Sequence, residues 1–226
     1  MNPIHDAVEI ETAHEPDAAV VWLHGLGADA HDFEPVVPEL RLPPQLSVRF
    51  VFPNAPVRPV TINGGMPMRV WYDIVELGGA RQDEMGIRAS QGILESLIRR
   101  ENDRGIASSR IVLAGFSQGG AIVLQMGLRH AERLAGILAL STWLPLHTTL
   151  EAERSAQNAD VPIFYAHGLH DDMVDIERAR TSRDVLARLG YPVQWREYPM
   201  GHAVCVPELV DIGAWLASVL RATGPS

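Results

Sequence analysis

The stretch Gly115-Phe-Ser-Gln-Gly119 carries a serine framed by glycines. It stands directly after the apolar run 110–114 and directly before Gly120-Ala-Ile-Val-Leu-Gln125. Strand, sharp turn and helix in that order hold a serine at a strained backbone angle, and the glycines remove Cβ atoms that would collide there. The hydroxyl is then lifted above a sheet, which makes Ser117 a candidate nucleophile. Serine chemistry needs a base beside Oγ and an acid to orient that base, and on such sheets the acid and then the base follow the nucleophile along the chain. The loop His167-Gly-Leu-His-Asp-Asp-Met-Val174 follows a predicted strand, so the acid is expected among Asp171, Asp172 and the nearby Asp175. After the next predicted strand, Tyr198-Pro-Met-Gly-His202 offers His202 as the base.

Attack on a carbonyl also creates an oxyanion, and each preorganised donor to it is worth roughly 3 to 4 kcal/mol. The Gln118 N–H, at the start of the helix after the nucleophile, is one expected donor. The segment Val20-Val-Trp-Leu-His-Gly-Leu-Gly27 supplies a second at Leu26, whose amide lies between glycines. Among the other histidines, His5, His14, His130 and His147 are expected at the surface or in packing. His167 and His170 are expected to hydrogen-bond within the acid loop.

These residues need a scaffold, and short apolar runs alternating with helical patterns predict a mostly parallel sheet flanked by helices. Strands are expected at 8–12, 18–23, 48–52, 110–114, 134–140, 161–166 and 193–198. Helices are expected at about 84–100, 118–128, 176–189 and 207–220. With 226 residues, 46% hydrophobic, the chain suits one α/β domain over 1–226. The irregular, Pro- and Gly-rich region 53–82 is too long for an idle loop. Met66, Met68 and Trp71 from it, with Trp143 and Leu144 after the strand ending at 140, are expected to line an acyl pocket.

A net charge of −9 without a basic cluster argues against a nucleic-acid partner. No stretch approaches the ~20 apolar residues of a membrane span, and the start of the chain has no signal-peptide pattern, so a cytoplasmic protein without stable membrane insertion is expected. The lone Cys205 is expected to be a small buried apolar side chain.

Several further strings join the serine turn: His24-Gly-Leu-Gly27 with Asp29, Phe52-Pro-Asn-Ala-Pro56, Trp71-Tyr-Asp73, Leu140-Ser-Thr-Trp-Leu-Pro145, His167-Gly168 with Asp171, and Gly201-His202. Together with Gly115 to Gly120 they resemble the phospholipase/carboxylesterase group of α/β-hydrolases, which includes bacterial carboxylesterases and acyl-protein thioesterases. The resemblance spans nearly the whole chain. It implies Ser117 as nucleophile, Asp171 as acid and His202 as base, with the Leu26 and Gln118 amides as oxyanion hole and with no cofactor or metal. It selects Asp171 over Asp172 by the H-G-x-x-D-x-x-V spacing, and leaves Asp175 to cap the following helix. Gly-Gly-Met-Pro-Met ahead of Trp71 looks more like the bacterial esterases. One departure is Ala28, which intervenes where many members place aspartate directly after His-Gly-Leu-Gly.

Rival readings are weaker. Gly25-x-Gly27-x-x-Ala30 matches a dinucleotide fingerprint, but the strand at 48–52 ends without the ribose-binding acid and Pro35 and Pro38 break the required helix. His167-x-x-His170-Asp171 lacks a second closely spaced ligand set for a metal. A non-enzymatic relative of the fold would have lost a triad member. The expected activity is therefore a serine carboxylesterase on short- to medium-chain acyl esters. The alternative is an acyl-protein thioesterase or lysophospholipase acting on long chains. The expected partner is a small acyl ester, and a homodimer is compatible with the sequence.

Overall fold

The computed structural model describes residues 6–76 and 81–221. His5 and residues 77–80 of the long loop lie outside that range. The chain runs β1 (Ala7–Glu11), β2 (Ala18–Leu23), β3 (Val48–Pro53), β4 (Val57–Val60), β5 (Met66–Arg69), α1 (Glu84–Asp103), β6 (Ile111–Phe116), α2 (Gln118–Gly127), β7 (Gly136–Leu140), α3 (His147–Glu153), β8 (Ile163–Gly168), α4 (Ile176–Arg188), β9 (Val193–Tyr198) and α5 (Val206–Val219). Seven strands form one sheet in the order β1-β3-β2-β6-β7-β8-β9, in which only β1 runs antiparallel to its neighbour. Every residue of β2, β3, β6, β7 and β8 is buried, as expected for strands covered on both faces.

Alternate side chains of each strand feed two cores. Ala19, Val21, Leu113 and Ile137 pack with α1, α2 and α4, whereas Val20, Trp22, Phe50 and Val112 pack with α5 and the 3₁₀ turns at 34–40. The second layer is close-fitting at one point: a Cβ on Gly213 of α5 would lie 1.7 Å from the Leu40 carbonyl oxygen. From β2 the chain first moves outward to β3, then crosses back to β6 on the other side of β2. Strand order therefore reverses between β2 and β6, and open α/β sheets bind ligands outside the strand ends at such a switch point.

The structure departs from the sequence expectations in three places. Region 53–82 is not without regular structure: β4 and β5 form an antiparallel hairpin that pairs Pro59 with Pro67. Prolines cannot donate to a ladder and are tolerated in such a peripheral ribbon, which is why their density reads as a loop. Helix α3 was not expected, because Leu150 is its one buried side chain and no apolar period marks it. Cys205 is half-exposed at the N-cap of α5 rather than buried in the core.

Glu208, in the first turn of α5, is fully buried and accepts the Cys205 N–H through Oε2 at 3.3 Å. Burial pushes its carboxyl up to about 8, with Asp211 adding to the rise and the Cys205 N–H opposing it. An unfolded glutamate titrates near ~4.3. Between that value and about 8 the folded state holds a proton that the unfolded state has released, so stability falls as pH rises through this window. Glu208→Gln keeps an acceptor for the cap and removes the titration. Denaturant unfolding at several pH values across the window should show a shallower decline for the variant than for the native chain. Equal declines would contradict the assignment.

Candidate active site

Ser117 joins β6 to α2 with φ 53° and ψ −118°. A residue with a side chain occupies that region only when its surroundings hold it there. The Ser117 N–H donates to Leu140 O at 2.8 Å, and Thr142 Oγ1 donates to Ser117 O at 2.6 Å, so β7 and the turn after it grip both sides of the residue. Gly119 lets α2 approach β2, since a Cβ there would lie 2.5 Å from Leu23 O. Ser117 forms no side-chain cap to its own helix, which leaves Oγ uncommitted.

The candidate acid and base, Asp171 and His202, lie in the loops after β8 and β9. His202 Nδ1 donates to Asp171 Oδ2 at 2.7 Å, leaving the Nε2 lone pair available as a base. The Asp171 carboxylate is fully enclosed, and a buried charge persists only when paired and hydrogen-bonded. Its Oδ1 accepts the N–H groups of Met173 (3.0 Å) and Val174 (2.8 Å). The two loops are tied by Leu169 N–H to Tyr198 O (2.8 Å) and His170 N–H to Met200 O (3.0 Å), which fixes the acid relative to the base. Phe116 packs on the His202 ring, with centroids 4.7 Å apart.

His167 is buried beneath this pair. Its Nε2 donates to Val174 O at 2.8 Å and stands 3.4 Å from Asp171 Oδ2, while burial lowers its pKa and keeps the ring neutral. From the end of β8 it thus bonds to the loop that carries Asp171, whereas His170 is exposed. Asp172 is exposed, and Asp175 caps α4 by accepting the Glu177 N–H. His14 and His147 are exposed and His130 is buried. Among the described residues no group of three or more His, Cys, Asp or Glu side chains is arranged to hold a metal ion.

Among the described residues the Leu26 and Gln118 amides have no hydrogen-bond partner. Both residues line the cavity that Ser117 and His202 also line. Their loops are braced from behind. Gln118 Oε1 accepts the Trp71 N–H (2.9 Å) and its Nε2 donates to Tyr72 O (2.7 Å), so the side chain works as a clamp in addition to the amide. Trp71 Nε1 donates to His24 O at 2.9 Å, and Ser90 Oγ donates to Trp71 O. His24 Nδ1 donates to Gly25 O (2.7 Å) and its Nε2 accepts the Ala55 N–H (3.0 Å), which defines a neutral ring that burial also favours. Beyond Leu26, the Gly27 N–H bonds to Arg69 O at 2.9 Å and Asp29 caps the His31 N–H, so the extra Ala28 is absorbed in a closed turn.

The cavity encloses about 260 Å³. Trp143 lines it, as expected. Leu144 lines an adjoining space of about 180 Å³ that shares Gln82, Trp143 and Arg178 with the first. Met66, Met68 and Trp71 are not among the lining residues. Met66 is exposed on the hairpin, Met68 accepts the Asn63 side-chain N–H, and Trp71 is buried behind the wall where its indole holds the His24 carbonyl. Tyr72, Ile74, Met173, Val174 and Arg178 take up the lining that those residues were expected to supply.

The family profile described as Phospholipase/Carboxylesterase matches residues 5–220. The chain belongs to this family. Two curated relatives carry the name acyl-protein thioesterase 1. The one from Gibberella zeae is 39% identical over 218 residues, covering 92% of this chain and 93% of the relative. The one from Mycosarcoma maydis is 41% identical over 225 residues, with the same two coverages. In shape the chain is similar to Arabidopsis thaliana SOBER1, with a TM-score of 0.85 and 29% identity over 90% of this chain and 99% of that one. The fold is that of an α/β-hydrolase, and the protein is a serine hydrolase of the carboxylesterase and acyl-protein thioesterase family.

Asp171 and Asp172 are sequence neighbours with opposite surroundings, so substitution separates them. Asp171→Asn should lower kcat by roughly 10³ to 10⁴, because an amide in that position favours the wrong imidazole tautomer. Asp172→Asn should leave kcat within about threefold of the native value, as expected for an exposed side chain remote from the base. A larger loss at position 172 than at 171 would contradict the geometry. Steady-state kinetics on an activated ester decides.

Proposed function

We propose that the protein hydrolyses acyl thioesters and esters through an acyl-enzyme on Ser117, with His202 as general base and Asp171 as its orienting acid. The observation that carries the chemistry is the Asp171–His202 bond of 2.7 Å opening onto the same cavity as a strained, uncapped serine and two free amides. His202 Nε2 takes the Ser117 proton as Oγ bonds to the carbonyl carbon, and the oxyanion is held by the Leu26 and Gln118 N–H groups. The tetrahedral intermediate then expels a thiolate or alkoxide, which leaves with the proton from His202. Water attacks the acyl-enzyme by the reverse assignment of roles and releases the acid.

For the substrate, the relatives named acyl-protein thioesterase favour the thioester reading over the short- to medium-chain ester expected from the sequence. A second space shares Gln82, Trp143 and Arg178 with the first, so a long chain would need those side chains to move aside to reach it. Ser117→Ala should abolish turnover while leaving the unfolding curve unchanged. Matched ester and thioester series from acetyl to palmitoyl should show higher kcat/KM for thioesters and a rise with length. Burial of each CH₂ sets an upper limit of about fourfold per methylene. An optimum at short or middle length without thioester preference would return the activity to a short-chain esterase.

A further inference from the structure

The guanidinium of Arg178, half-buried in the first turn of α4, lies over the Trp143 ring at 4.1 Å from the ring centre. It lines the same cavity as Ser117 and His202. Among the described residues it makes no ion pair and no side-chain hydrogen bond, although the arginines 180 and 183 beside it on the same helix are both paired. The other charged groups of the cavity wall do not meet it. Asp73 accepts the Thr61 N–H (2.8 Å) and hydroxyl (2.5 Å), and Glu76 accepts the Arg81 N–H (2.7 Å). Asp32 stands with His24 and Asp29. Residues 77–80 read Leu-Gly-Gly-Ala and carry no carboxylate side chain. On the same wall, the Tyr72 hydroxyl is buried without a partner, and burial pushes its pKa up so that it keeps its proton.

Desolvation lowers the Arg178 pKa, with only the tyrosines 72 and 165 opposing it, yet a guanidinium stays charged at any ordinary pH. Trp143 covers one side of the guanidinium, whose N–H donors, unused by any described residue, form the planar fork that matches a carboxylate in a two-point contact. A partly desolvated cation gains from a charge-assisted contact with an anion, and among the described residues no carboxylate supplies one. From this we infer that Arg178, with Trp143 as its platform, is a binding site for a carboxylate borne by the substrate away from the scissile carbonyl. The inference rests on the hydrolase reading for its chemistry and adds the substrate's charge.

The carboxylate belongs either to the acyl part or to the leaving group, and two pairs of activated thioesters separate these. One pair ends its acyl chain in a carboxylate or the isosteric carboxamide; the other carries the same two groups on the leaving thiol. In at least one pair, kcat/KM should favour the carboxylate by about tenfold, the scale of a charge-assisted contact. Arg178→Gln should bring that ratio to near one, and Arg178→Lys should recover part of it because charge returns without the planar fork. A carboxylate preference below about threefold in both pairs, or a preference retained in Arg178→Gln, would overturn the site. The native ratio stands alone if the variants fail to fold. Absence of turnover with all four compounds would contradict the hydrolase reading instead. Calorimetric titration of the native protein with glutarate and with glutaramide then decides the anion site: tighter binding of glutarate supports it, and equal or weaker binding overturns it.

Discussion

The left-handed backbone of Ser117 is the constraint on which the rest of the site depends. A strained residue at the end of a strand persists only while neighbouring structure holds it, and here the grip comes from β7 through the Leu140 carbonyl and the Thr142 hydroxyl. Because β6 lies between β2 and β7 in a parallel sheet, the same register that pairs the strands delivers the serine beside the loop after β2. The proposed acid and base are delivered by β8 and β9, the next strands outward beyond β7. A set of residues far apart in sequence thus depends on five neighbouring strand ends.

A second tier keeps the donors in place. The Gln118 side chain, Trp71 and His24 form a chain of hydrogen bonds linking the helix after the nucleophile to residues 70–72 and to the loop that carries Leu26. Each of these polar groups is buried, so loss of one partner would leave another unsatisfied. For the proposed oxyanion hole such bracing is preorganisation: donors held in place need no rearrangement when charge develops.

Much of this was legible in the sequence, for a physical reason. Buried parallel strands are continuous apolar runs, and 18–23 coincides with the observed β2; the partly buried edge strand β9 also coincides with 193–198, read from its alternation of apolar and polar residues. The serine turn announces itself because only glycine fits the close approach of α2 to β2. What could not be read depended on contacts between distant segments. Nothing local says that Gln118 reaches Trp71, that Trp71 faces inward rather than into the cavity, or that Arg178 finds Trp143. The hairpin of β4 and β5 was hidden because its prolines signal a break in any sheet except a peripheral ribbon.

The structure of an adduct tests most directly where charge is stabilised in this site. A crystal structure after reaction with a fluorophosphonate should show phosphorus bonded to Ser117 Oγ. Its phosphonyl oxygen should lie roughly 2.7 to 3.1 Å from the amide nitrogens of both Leu26 and Gln118. An adduct on Ser141 or another residue, or a phosphonyl oxygen facing away from these two amides, would contradict the proposed site.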